Sequence, residues 1–200
     1  MTTKFEHELA AAWQRVDDRL AMLQLRHHQN GDIPFYKAGL NPPASEEELR
    51  QLELAWGAPI PFELVYSLRR WNGRWIAHDH VIDLSPISDH LSVAQACVLA
   101  PDASEEETFD SVIGPVNPVF ESRKRYPFGG HEYSGSFLYL DFEDPPEGGT
   151  RGQVIRIGEE PTVEYVAASF VDFLNLIAEA PVLDDVQDDP NFDPLRWRGL

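Results

Sequence analysis

Between residues 41 and 73 the chain punctuates two helices so tightly that few arrangements remain open to it. Ser45 and Glu48 have capping-box spacing, and Glu46, Glu47 and Glu48 put acid in the first turn, where the helix dipole favours it. Leu49, Leu52 and Trp56 then share one face, which predicts a helix over 46–56. Gly57 and Pro59 stop it, and Pro61 suits the first turn of a successor. Leu64, Val65, Leu68 and Trp71 give that second helix an apolar face before Asn72-Gly73 closes it. Two helices joined this briefly pack as a pair.

An earlier helix is predicted over residues 4–28, because Phe5, Leu9, Trp13, Val16, Leu20 and Leu23 recur at steps of three and four. After Gly73 the grammar changes. Trp75 to Leu84, Phe137 to Phe142, Val154 to Ile157 and Val163 to Val166 are aromatic or β-branched stretches near turn residues and read as strands. A helix over about 87–99 separates the first strand from the others, and Ser169 to Ala180 forms a last helix with Phe170, Phe173, Leu174 and Ile177 inward. The order is helices, strand, helix, strands, helix. It predicts an α+β fold with a mainly antiparallel sheet packed against helices, rather than a doubly wound parallel sheet.

Composition then narrows the function. The 200 residues favour one domain with decorated ends, and a hydrophobic content of 42% is enough for a core. The net charge is −18, and the acid is concentrated late: residues 101–150 hold eleven acidic side chains and three basic ones. Such a field repels phosphate backbones and anionic lipid surfaces, so direct binding of nucleic acid or membrane is not expected, whereas a basic protein partner is. Cys97 is the single cysteine, which excludes an internal disulfide and a cysteine zinc cluster. The N-terminus lacks an apolar signal region, and a cytosolic location is expected.

Several constellations invite chemistry. His78 and His80 would share one face of a strand, but no metal-site spacing connects them with Asp83, His90 or the His131-Glu132 pair; solvated or core-edge histidines are the simpler reading. His27 and His28 suit the C-terminal end of a helix. Asp141, Glu143 and Asp144 lead into Pro145-Pro-Glu-Gly-Gly149 without the alternating ligands of a calcium loop, so a solvated or partner-facing acidic rim is expected. Residues 128–135 share only glycines with a phosphate loop, Cys97 sits among apolar neighbours, and no nucleophile elbow is present. The basic run Arg123-Lys124-Arg125 is expected to satisfy local carboxylates. No catalytic activity, metal or cofactor is expected.

The same punctuation carries a family resemblance. Leu40-Asn-Pro-Pro-Ala-Ser45-Glu-Glu-Glu-Leu49, Trp56-Gly57-Ala-Pro-Ile-Pro61-Phe-Glu-Leu64 and Arg70-Trp71-Asn72-Gly73 are followed by Arg125-Tyr126-Pro127-Phe128-Gly129 and Phe137-Leu-Tyr-Leu140-Asp141. Gly149-Thr-Arg-Gly152-Gln153-Val154-Ile155 and Ala168-Ser169-Phe170 complete the order. This series resembles the SUKH superfamily, which contains cell-wall-assembly regulators of the Smi/Knr type and many bacterial immunity proteins. The resemblance covers about residues 39–180, leaving 1–38 as a helical extension and 181–200 as an acidic tail. Tyr126 stands where the family usually has Trp, and Ser136 where an Asp often precedes the Leu-x-Leu-Asp strand.

The resemblance implies a non-enzymatic binding domain. The leading expectation is an immunity protein that neutralises a cognate, basic toxin, a nuclease being the natural type, by covering its active surface. Asp141, Glu143, Asp144 and Glu147 are the expected contacts, with Tyr133 and Trp75 as aromatic anchors. The alternative is a regulatory scaffold of the cell-wall-assembly type that acts through protein–protein contacts.

Overall fold

The computed structural model describes residues 3–29, 37–77, 108–120, 122–131, 136–158 and 162–179, with four further positions between 92 and 99. The elements run α1 (Lys4–Gln29), β1 (Lys37–Leu40), α2 (Glu46–Trp56), α3 (Phe62–Arg70), β2 (Arg74–Ala77), β3 (Ser111–Ile113), β4 (Arg125–His131), β5 (Ser136–Asp141), β6 (Gln153–Ile157), β7 (Thr162–Ala167) and α4 (Phe170–Glu179). The fold is α+β. A five-stranded sheet has the order β3-β7-β6-β5-β4, antiparallel except for the parallel β3–β7 pair, and β1 and β2 form an antiparallel pair. Most of the predicted helix over 87–99, the strand beyond Ala77, His78, His80, Cys97 and the tail 181–200 lie outside the described residues.

Helix α2 begins on the capping box. Glu48 N–H donates to the Ser45 hydroxyl at 3.3 Å, and the Glu48 carboxylate accepts from Ser45 N–H at 2.7 Å. Two donors at the helix start, the Ser45 and Glu48 N–H groups, are thereby satisfied. Gly57 ends the helix at φ 69°, a left-handed cap that costs a glycine little, with its N–H on the Glu53 carbonyl. The Asn72 amide returns to Glu48 at 2.8 Å, and the Asn41 amide reaches the Asn72 carbonyl at 2.8 Å. Those bonds tie the turn after α3 to the start of α2.

Helix α1 is part of the main core. Leu9, Ala12, Trp13 and Val16 are fully buried, in the same cluster as Leu52, Trp56, Leu68, Leu140, Phe170 and Phe173. The Trp13 indole N–H donates to the Ser67 hydroxyl at 3.2 Å, and its ring meets Trp71 and Phe170 edge-on at 5.5 and 6.1 Å. Arg15 on α1 reaches the Asn175 side chain on α4. Helices therefore cover the sheet face that carries Leu138, Leu140 and Val154. On the opposite face, segment 108–120 folds over Ile155 and Val163 with Phe109 and Val116, closing a second, smaller core.

Candidate partner-binding surface

At one end of the sheet three polar residues stand side by side. Arg125 on β4 is opposite Asp141 on β5, which is opposite Gln153 on β6, so the register places all three on one face. They are 2%, 1% and 0% exposed. Buried charge at this level is tolerable only when paired and fully hydrogen-bonded. Arg125 Nε donates to Asp141 Oδ1 at 3.2 Å, Nη2 donates to the Asn117 carbonyl at 2.6 Å, and Nη1 donates to the Val119 carbonyl. The guanidinium also lies 5.3 Å from the centre of the Phe109 ring. Gln153 donates from Nε2 to the Pro115 carbonyl at 3.1 Å and accepts from Thr150 N–H at 3.1 Å. One buried row thus holds segment 115–119 and the connection from β5 to β6.

That connection, residues 142–152, carries the acidic rim. Glu143 N–H donates to Asp141 Oδ1 at 3.1 Å, and Gly152 N–H donates to the Asp141 carbonyl at 2.7 Å, so Asp141 anchors both ends of the loop. The Asn117 amide donates to the Asp144 carbonyl at 3.2 Å. Gly149 is packed so closely that a Cβ there would stand 2.5 Å from Pro145 Cβ and 2.6 Å from the Pro115 carbonyl oxygen. The Glu143 carboxylate accepts from the Ser122 hydroxyl and from Lys124 Nζ, the latter at 3.1 Å. Burial pulls its pKa up, but those two hydrogen bonds and the Lys124 and Arg125 charges outweigh it, and the net shift is downward. Lys124 and Arg125 thus pair with local carboxylates, as the sequence predicts for the basic run.

The acidic loop continues into the helical layer. Phe142 meets Tyr126 edge-on at 5.9 Å, Tyr126 stacks on Trp56 at 5.6 Å, and the Tyr126 hydroxyl donates to the Pro59 carbonyl at 3.2 Å. Three residues further, Phe62 opens α3 and meets Phe5 of α1 at 5.8 Å. A run of contacts thus links Phe142, at the start of the acidic loop, through Tyr126 to Trp56 and the α2–α3 connector, and Phe62 just beyond that connector meets Phe5 of α1.

The predicted contact residues divide on this frame. Asp144 and Glu147 are exposed, and Glu143 is about 15% exposed and engaged. Asp141 needs correction as a surface contact: its carboxylate is spent inside on Arg125, Gln153 and the Glu143 N–H, because a charge at the end of a central strand must find its partners there. Trp75 lies in β2 opposite Gly39, placed by its backbone, and Tyr133 lies outside the described residues. Nothing local in the sequence marks Gln153 or Asn117 as supports of the loop; for Arg125 the signal is an arginine sixteen residues before an aspartate at the matching end of a hairpin. Among the described residues no group of three or more His, Cys, Asp or Glu is placed to hold a metal ion.

The family model described as SMI1 / KNR4 family (SUKH-1) matches residues 43–176. The chain belongs to the SMI1/KNR4 family. The matched span runs from just before the α2 capping box to within three residues of the end of α4, so the buried Arg125–Asp141–Gln153 row and the acidic loop fall inside it, and α1 falls outside it although it shares the core. None of the curated proteins matches the chain. No described helix is long and apolar enough to cross a membrane.

Proposed function

We propose that this SMI1/KNR4 family member is an immunity protein that binds a basic toxin in the cytosol and covers its active surface. The observation that carries the reading is the acidic loop 142–152, held rigidly from beneath by the Arg125–Asp141–Gln153 row in a family that includes immunity proteins. A toxin that acts on nucleic acid has to present a cationic groove to its substrate. The exposed carboxylates of Asp144 and Glu147, on a chain of net charge −18, would steer encounter with such a groove and compete with phosphate for it. Pre-ordering the loop spares the ordering entropy that a mobile acidic segment loses on binding.

The test is co-expression with the toxin domain encoded beside its gene. Survival of the host cell only when this protein is present supports the reading. Persistent toxicity with both proteins expressed and folded refutes it, and moves the regulatory-scaffold alternative ahead.

A further inference from the structure

Where α1 meets α3 three aromatic rings lie together, two of them exposed and the third, Tyr66, partly buried against the core. Phe5 on α1 and Phe62 on α3 have ring centres 5.8 Å apart, Phe62 and Tyr66 6.0 Å apart, and Phe5 and Phe62 remain 37% and 40% exposed. A single exposed ring is ordinary; ring against ring in solvent leaves apolar area that a partner would remove from water. The opening turns of the two helices carry Glu6, Glu8 and Glu63 against one lysine, Lys4; Lys4 pairs with Glu8 at 3.5 Å and Glu6 accepts from the Thr3 N–H, which leaves Glu63, next to Phe62, as the carboxylate offered to a partner. An aromatic surface rimmed by carboxylates matches a guanidinium, which stacks on a ring face while its N–H groups reach acid. The chain makes this contact internally, with the Arg70 guanidinium 4.3 Å from the centre of the Trp71 ring.

We propose that the Phe5–Phe62–Tyr66 cluster is a second docking site, which receives an arginine-bearing segment of the basic toxin, and that α1 thereby sets which toxin is accepted. The inference rests on the immunity reading above. It places one half of the site, Phe62 and Tyr66, within the family-matched span and the other half, Phe5, on a helix outside it. The fold shared with relatives supplies the platform, and α1 supplies the selectivity. Exposed aromatic anchors on a chain that also carries an acidic steering loop would follow the division of labour at protein interfaces, where a few rings carry affinity and peripheral charge carries the rate of encounter.

The experiment uses the full chain and the toxin domain that the wild-type chain neutralises in the survival test. Phe5→Ala and Phe62→Ala together are expected to weaken the purified complex on the order of 30-fold or more, mainly through faster dissociation. Glu63→Lys keeps the rings and reverses the rim; it is expected to weaken binding at least about tenfold, with the loss shrinking as salt rises. Circular dichroism and thermal unfolding of each variant establish that it is folded, and Glu63→Lys decides the matter should the double variant not fold. Wild-type affinity in the folded variants, with rescue by the wild-type chain intact, overturns the docking site and leaves the immunity reading standing. Failure of the wild-type chain to rescue overturns both.

Discussion

Replacing Arg125 with Met removes one member of a buried pair and leaves the other without compensation. Arg125 and Asp141 side chains are 2% and 1% exposed. After the substitution the Asp141 carboxylate keeps only the Glu143 N–H at 3.1 Å and the Gln153 amide at 3.5 Å, while the Asn117 and Val119 carbonyls lose their donors. Two orphaned carbonyls cost about 1 to 3 kcal/mol each, and breaking one side of a buried ion pair typically costs about 3–5 kcal/mol in all. We expect a loss of about 4 kcal/mol, a large part of the 5 to 15 kcal/mol roughly typical of a domain. Equilibrium urea unfolding followed by tryptophan fluorescence measures it. Adding Asp141→Leu to Arg125→Met removes the stranded charge as well, and the double variant should recover at least about half of the loss. A single-variant loss below about 1 kcal/mol, or a double variant less stable than the single one, would refute the assignment of this pair as the anchor of the loop.

Other consequences follow from the same geometry. Trp13→Ala should cost about 3–5 kcal/mol in the urea midpoint analysis, because a fully buried indole that contacts Ser67, Trp71 and Phe170 is lost; an effect near zero would mean that α1 is dispensable to the core. Gly149→Ala drives a methyl group against Pro145 and the Pro115 carbonyl, and is expected to lower stability by about 1–3 kcal/mol and to weaken toxin binding together with it, measured on the same preparation. The Glu143 carboxyl has its pKa lowered in the folded protein from an ordinary 4.5, so its contribution to stability is present above that value and lost as pH falls through the depressed one. Urea midpoints taken from about pH 6 down to about pH 3 should therefore fall less steeply for Glu143→Gln than for the wild-type chain.

The helices were legible because their ends are written in local chemistry. A capping box at Ser45 and Glu48, a left-handed Gly57 and an Asn72-Gly73 turn fix α2 and α3 to within a residue, while helical spacing of apolar residues marks α1 and α4 and aromatic or β-branched stretches mark the central strands. The strands that were not anticipated lack local signals. Strand β3 is three residues long and owes its existence to a parallel pairing with β7, some fifty positions away. Strand β4 contains Pro127, Gly129 and Gly130, residues that are poor strand formers; a register shift between Pro127 and Gly129 accommodates them beside β5. The site was half legible for a related reason. A carboxylate in an acidic stretch is ordinarily solvated, and only the register that sets Arg125 against Asp141 turns it into a buried anchor. Similarly, the spacing of α1 marks a helix but not the core it enters: Phe5 stays at the surface although it shares its apolar stripe with buried Leu9 and Trp13.

The immunity reading is tested most directly by titrating the purified toxin domain with this protein and following the toxin's own activity. The prediction is stoichiometric inhibition, complete at about one equivalent when both are well above a nanomolar dissociation constant, which corresponds to a binding free energy of about −12 kcal/mol, with Asp144→Lys and Glu147→Lys together slowing its onset most at low salt. Undiminished toxin activity at a large excess of the folded protein would contradict it.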